Sequence, residues 1–84
     1  MQATVEISMY PLHQDYANKV LSFLSNINQY EGIVVETNGV STQIFGEYDQ
    51  LMDLLRTEIK EVLEEQSAMF VLKIGKGELR YKGE

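Results

Sequence analysis

The sequence predicts an α+β protein with two layers, in which a four-stranded antiparallel sheet carries two helices on one face. Two observations predict this class. Segments whose apolar residues alternate at every second position, as in strands, are interleaved with two segments whose apolar residues recur every three or four positions, as in helices. An Asn-Gly pair at 38–39 separates two strand-like runs and indicates a hairpin. The predicted order is therefore strand, helix, strand, strand, helix, strand.

The first strand and the first helix follow from these periodicities. Residues 4–10 alternate, with Val5, Ile7 and Met9 on the face to be buried, and Pro11 is expected to stop the strand because it cannot donate to a ladder. Residues 13–30 carry a helical stripe, and Gly32 is expected at the C-terminal end of that helix. The stripe consists of Tyr16, Val20, Phe23, Leu24, Ile27 and Tyr30.

The hairpin is predicted to join strands 33–37 and 40–45 through a type I′ turn at Asn38-Gly39, because that turn needs positive φ at both central residues. This turn would place Glu36 opposite Ser41 and Thr37 opposite Val40. Gly46 is then expected to end the second strand of the hairpin.

The second helix is predicted over 49–65, with Asp49 as its cap. The apolar run at 68–74 predicts a last strand that is central or well covered. Residues 75–84 are expected either to extend this strand or to form a flexible tail.

The order βαββαβ is that of the ferredoxin-like fold, because right-handed crossovers place both helices on the same face of the sheet. Residues 1–84 are predicted to form a single domain, since 84 residues support one modest core. The sheet residues predicted in that core are Val5, Ile7, Met9, Ile33, Val35, Ile44, Phe70, Leu72 and Ile74.

Charge and composition exclude several classes of function. Thirteen acidic and seven basic residues give a net charge of -6, which argues against a nucleic-acid partner. The chain has no cysteine and one histidine, so thiolate and histidine-based metal sites are excluded and no cofactor is expected. The start has no basic segment followed by an apolar run, and no stretch is long enough to span a membrane, so a cytoplasmic protein is expected.

The sheet face that the helices leave open is the expected location of function. Val34, Phe45, Met69 and Val71 would form an exposed apolar patch there, and such patches usually mark an interface. A homodimer or homotetramer is therefore expected. The polar residues on the same face are Glu6, Ser8, Glu36, Ser41 and Gln43, and they would need partners or a polar ligand if buried.

The segments GVSTQIFGEYDQLM, EISMYPL and FVLKI resemble the YkoF-like, thiamine-binding family, over residues 6–74. The resemblance implies short βαββαβ domains that bind thiamine or its hydroxymethylpyrimidine half, have no catalytic machinery and form oligomers by pairing sheets. It also implies that Glu36 takes the family's acidic position and that Ser41 and Thr42 take its Ser-Thr step.

The chemistry of the side chains is compatible with such a ligand. A carboxylate can accept a hydrogen bond from the exocyclic amine, hydroxyls can satisfy ring nitrogens, and aromatic faces can stack or contact the cationic ring. Strict alternation turns Thr42 toward the helices, which makes Ser41 the better candidate of the two. The candidate ligand-binding residues are Glu36, Ser41, Thr42, Glu6, Ser8, Tyr10 and Phe45.

Other classes of function remain open at this point. One is a regulatory domain that binds amino acids, another is a purely structural oligomer, and a third is a small enzyme with its acid or base among Glu6, Glu36 and His13. His13 is otherwise expected to be an exposed residue near the start of a helix. A non-enzymatic binding protein is the preferred interpretation, because no known catalytic motif is present.

Overall fold

Six elements follow one another in the predicted order in the structure, a computed structural model that describes residues 1–81. They are β1 Gln2–Pro11, α1 Tyr16–Ile27, β2 Val34–Thr37, β3 Thr42–Glu47, α2 Tyr48–Glu65 and β4 Ala68–Lys76. All strand pairs are antiparallel, and the order across the sheet is β2-β3-β1-β4. The ferredoxin-like fold predicted from the sequence is confirmed.

The core lies between β1, β3 and the two helices. Ala3, Val5 and Ile7 of β1 are buried beside Ile44 of β3, because alternate residues of each strand face the helices. The helices contribute Phe23, Ile27, Leu51, Leu54 and Leu55. Met9, Ile33, Val35 and Phe70 are partly buried against this cluster, which confirms their predicted face.

The last strand differs from its prediction, because β4 is an edge strand that pairs only with β1. α2 packs mainly over β1 and β3. Leu72 and Ile74 therefore remain 39% and 53% exposed, although both were predicted in the core. An apolar run predicts a strand, but it does not reveal how many neighbours cover that strand.

The hairpin also differs from its prediction. Neither Asn38 nor Gly39 has a positive φ, so the turn is not of type I′. The side-chain Oδ1 of Asn38 instead accepts hydrogen bonds from the backbone nitrogens of Val40 and Ser41, at 2.8 Å and 3.1 Å. This Asx-type closure gives a four-residue loop over 38–41, flanked by the pair Thr37 and Thr42.

The longer loop shifts the predicted register by two positions. Glu36 lies opposite Gln43 rather than Ser41, and Thr37 lies opposite Thr42 rather than Val40. Because side chains alternate with a period of two, a shift of two leaves every residue on its predicted face.

Three smaller predictions about the ends of elements are wrong. Gly46 does not end β3 but pairs with Ala3 inside the sheet. Glu47, not Asp49, caps α2, since its carboxylate accepts from the backbone nitrogens of Asp49 and Gln50. Gly32 has the expected positive φ of 78° but lies in the loop before β2, because α1 ends at Ile27.

The C-terminal residues are only partly a tail. Residues 75 and 76 belong to β4, and residues 77–81 fold back onto the sheet, as described below. Residues 82–84 lie outside the described part of the chain. Within residues 1–81, neither helix is both long enough and apolar enough to cross a bilayer.

Candidate ligand-binding site

Residues that pair across neighbouring strands form rows on the open face of the sheet. Glu6, Gln43 and Glu36 form one row, since Gln43 pairs with both glutamates from its position on β3. Thr4, Phe45 and Val34 form the next row. Adjacent strands lie about 4.8 Å apart, so Glu6 and Glu36 are separated by roughly 10 Å across the sheet.

A notch opens beside the hairpin loop, where β1 extends beyond β3. The pairing of β1 with β3 ends at Ile7 and Thr42, so residues 8–11 pair only with β4. The notch has a volume of about 180 Å³ between this overhang, loop 38–41 and α1. Its polar lining consists of Ser8, Tyr10, Thr37, Asn38, Ser41 and Thr42. Its apolar lining includes Ile7, Met9, Val20, Phe23, Leu24 and Val40.

A hydrogen bond joins the hairpin loop to β1 next to this notch. Ser41 Oγ donates to Glu6 Oε2 at 3.0 Å, and Lys73 Nζ lies 3.7 Å from Glu6 Oε1. The Glu6 side chain keeps 36% of its surface exposed, so solvent and solutes can reach the carboxylate. Glu6 therefore combines a negative charge, a hydroxyl partner and access from outside.

Thr42 lines the notch from the helix side of the sheet, opposite to the face that carries Glu6. It is buried on the helix side of the sheet, and its Oγ1 lies 3.0 Å from Thr37 Oγ1. This confirms the orientation predicted from strict alternation. The two hydroxyls of the Ser-Thr step therefore face different layers, and only Ser41 bonds to a residue of the open face.

Glu36 and Phe45 lie away from the notch, under the side chain of Arg80. Arg80 Nε donates to Glu36 Oε2 at 3.1 Å, and Arg80 Nη2 donates to the same oxygen. The Arg80 guanidinium carbon is 5.4 Å from the centre of the Phe45 ring, a cation–π distance. Phe45 is only 1% exposed, so the predicted exposed patch loses this member, whereas Val34, Met69 and Val71 remain exposed.

The candidate residues thus divide into two groups. Four of them line the notch, namely Ser8, Tyr10, Ser41 and Thr42, and Glu6 adjoins it through its bond with Ser41. Glu36 and Phe45 lie one or two strands away from β1.

Sequence reasoning did not select Asn38, Lys73 or Arg80. Asn38 was interpreted only as a turn former, and its side chain also lines the notch. Lys73 pairs with Glu6 across the two strands, and this pairing brings its ammonium group to the Glu6 carboxylate. Arg80 carried no pattern that could connect it with a residue 44 positions away.

The other titratable candidates lie elsewhere. His13 is exposed before α1, where its Nδ1 accepts from the backbone nitrogen of Asp15 at 2.9 Å. In the helical layer, Tyr30 donates to the buried Glu58 at 2.6 Å. This bond, together with burial, raises the pKa of Tyr30 to about 12. Within residues 1–81, no three acidic or histidine side chains are grouped so that they could hold a metal ion.

The fold and the geometry of the site define a small ferredoxin-like domain with a partly polar notch at one end of its sheet, beside α1. The chain matches the YkoF-related family over residues 2–74 and belongs to that family. The family resemblance found in the sequence is therefore confirmed.

Several solved structures have the same fold as this chain. A Streptococcus pneumoniae protein has a TM-score of 0.83 at 22% identity. The superposition includes 94% of this chain and 90% of the Streptococcus chain. A Thermotoga maritima protein, provisionally named for thiamine biosynthesis or salvage, has a TM-score of 0.80 at 19% identity, with coverages of 92% and 85%.

A hypothetical protein from Methanocaldococcus jannascii has a TM-score of 0.77 at 22% identity, with coverages of 95% and 84%. At these identities the similarity shows the fold alone. No curated protein matches the chain.

Proposed function

We propose that this protein binds a small molecule without catalysing a reaction, and that the ligand is thiamine or its hydroxymethylpyrimidine half. Membership of the YkoF-related family supports this proposal. The name of the Thermotoga protein, which refers to thiamine biosynthesis or salvage, also supports it. The identity of the ligand comes from these relatives, and its position is argued from the side chains.

The observation that carries the proposal is the bond between Ser41 and Glu6 beside the notch. An aminopyrimidine presents an exocyclic amine that donates and ring nitrogens that accept. The Glu6 carboxylate, which the Ser41 hydroxyl holds by its own hydrogen bond, supplies the acceptor, and the hydroxyls of Ser8 and Tyr10 supply donors. The apolar lining from α1 suits the faces of a flat ring.

The size of the notch favours the pyrimidine half over the whole vitamin. Its volume of about 180 Å³ lies below the roughly 300–1,000 Å³ of typical ligand pockets. In this proposal the pyrimidine occupies the notch, and the cationic thiazolium extends along the open face toward Glu36 and Phe45. The net charge of -6 attracts such a cation at long range.

The proposal is tested by calorimetry with thiamine and with hydroxymethylpyrimidine. Glu6→Gln should weaken binding of both ligands about tenfold or more, because a hydrogen bond to a charged group contributes roughly 1.5–3 kcal/mol. Ser41→Ala should also weaken both. Glu36→Gln should weaken thiamine more than the uncharged pyrimidine, because only thiamine carries the cationic ring.

Two exposed residues outside the site provide matched controls. Glu65→Gln removes the same charge at the end of α2, and Ser25→Ala removes the same hydroxyl on the solvent side of α1. Both should bind like the wild type. Equal affinity of Glu6→Gln and Glu65→Gln would remove Glu6 from the site, and absence of binding to the wild type would refute the proposed ligand.

A further inference from the structure

We infer that residues 77–81 form a strap that crosses the open face and places Arg80 in the cation subsite made by Glu36 and Phe45. A cationic ligand, or another molecule that needs this part of the face, must displace the strap. The inference rests on the proposed function for the identity of the cation, whereas the strap itself is argued from contacts within the chain.

The start of the strap is fixed by backbone geometry at the end of β4. Gly77 N donates to Gln2 O at 2.8 Å, which continues the contact with β1 by one residue. Gly77 has a φ of 90°, a backbone conformation that residues with a Cβ rarely adopt. At this residue the chain leaves the edge of the sheet. The chain is therefore directed back across the sheet.

One buried hydroxyl of β1 anchors the strap through both of its hydrogen-bonding functions. Thr4 Oγ1 donates to Gly77 O at 2.7 Å and accepts from Leu79 N at 2.9 Å. Thr4 is only 8% exposed although it points away from the helices. The segment therefore has defined contacts with the sheet and is not a free tail.

Gly75 makes room for the next residue of the strap. Gly75 pairs with Thr4, so a side chain at this position would point to the open face. A Cβ added there would lie 3.0 Å from Leu79 Cδ1. The glycine thus leaves the space into which Leu79 packs.

Arg80 makes the contacts that a cationic ligand would need. Its guanidinium bonds to the Glu36 carboxylate and lies over the Phe45 ring, which combines an ion pair with a cation–π contact. Its side chain is 29% exposed, and Phe45 is almost fully covered. A ligand can use this carboxylate and this ring only in the fraction of molecules in which Arg80 has left.

The affinity of Arg80→Gln for thiamine tests this competition. Its dissociation constant should be about fivefold lower or more, because the apparent affinity is reduced by the fraction of molecules whose site is open. Lys76→Gln is the matched control, since this substitution removes one positive charge from the exposed end of β4. The Lys76→Gln variant should bind thiamine like the wild type. Gly75→Ala, which presses on Leu79, should change affinity in the same direction as Arg80→Gln.

Two measurements test the strap without thiamine. Hydrogen exchange of the Leu79 amide should be about tenfold faster in Arg80→Gln than in Lys76→Gln, because its bond to Thr4 is no longer held in place. Methylguanidinium, which has the head group of Arg80, should shift the NMR signals of the Phe45 ring in Arg80→Gln and not in the wild type.

The outcomes separate this inference from the proposed function. If the wild type binds thiamine, weaker or unchanged binding by Arg80→Gln would overturn the strap, and unchanged Leu79 exchange would overturn it in any case. If no variant binds thiamine but Arg80→Gln loses Leu79 protection and takes up methylguanidinium at Phe45, the strap stands and the proposed ligand fails. If methylguanidinium also leaves Phe45 unchanged, the cation subsite is refuted.

Discussion

Tyr30 and Glu58 form a polar pair at the edge of the helical layer. Glu58 is 8% exposed and accepts from Tyr30 at 2.6 Å. Tyr30→Phe should lower the free energy of unfolding by about 1–3 kcal/mol, because it leaves a buried carboxylate without this donor. Urea denaturation measures the change. Tyr16→Phe is the control, since Tyr16 is 62% exposed, and a similar loss in both variants would contradict this role of the pair.

The same pair makes stability depend on high pH. The pKa of Tyr30 is raised from 10.0 to about 12, so the folded state holds this proton more tightly than the unfolded state. The contribution is complete below the unfolded pKa and is lost as the pH rises through the folded value. Titration of tyrosinate absorbance should show one tyrosine ionising near pH 12, and Tyr30→Phe should remove this step.

The sheet face of a site residue was predictable from the alternation of side chains along its strand. Contacts between segments that are distant in the sequence were not predictable. Glu6, Ser8 and Ser41 were predicted on one face because a strand repeats every two residues. The burial of Phe45 was not predicted, since it depends on Arg80, which is 35 residues away in the sequence and belongs to a segment without periodicity. Contacts of that kind depend on tertiary structure and leave no local pattern.

The hairpin loop is held by the side chain of Asn38 and not by the flexibility of Gly39. Asn38→Ala should destabilise the protein by about 1 kcal/mol or more, because it removes the acceptor of two backbone donors. Gly39→Val should change stability by less than about 0.5 kcal/mol, because a Cβ there meets nothing within 4 Å and φ is not positive. Chemical denaturation of both variants measures this, and the reverse ranking would indicate a type I′ turn.

Elements with long periodic patterns were predicted best. β1 and α2 were predicted to within about two residues of their bounds at each end, because each has several turns or repeats of the pattern. The edge position of β4 was not predictable from its apolar run. Most apolar side chains of the run are exposed, and nothing in its composition indicates which strands lie beside it.

The assembly of the whole molecule stays a prediction. Val34, Met69 and Val71 are 39%, 64% and 54% exposed on the open face, and a homodimer or homotetramer would cover them. Light scattering should give a multiple of the 9.6 kDa chain mass. Val71→Asp should shift the mass toward the monomer, because it places a charge in an apolar contact.

Leu63→Asp is the control for this assembly, since Leu63 is 51% exposed in the helical layer. It should leave the mass unchanged. If Leu63→Asp dissociates the assembly and Val71→Asp does not, the interface lies on the helix side. A monomeric wild type would refute the assembly.

β1 is synthesised before the other three strands of its sheet, but its longest pairing is with β4, which follows them in the sequence. Ala3 pairs with Lys76, and this ladder runs as far as Pro11 and Ala68. Until translation reaches β4, the central strand of the finished sheet has one unpaired edge next to its most apolar residues. Such edges template aggregation, and pairing between distant segments is slow. The nascent chain is therefore exposed to misassembly of this sheet until β4 emerges and pairs with β1.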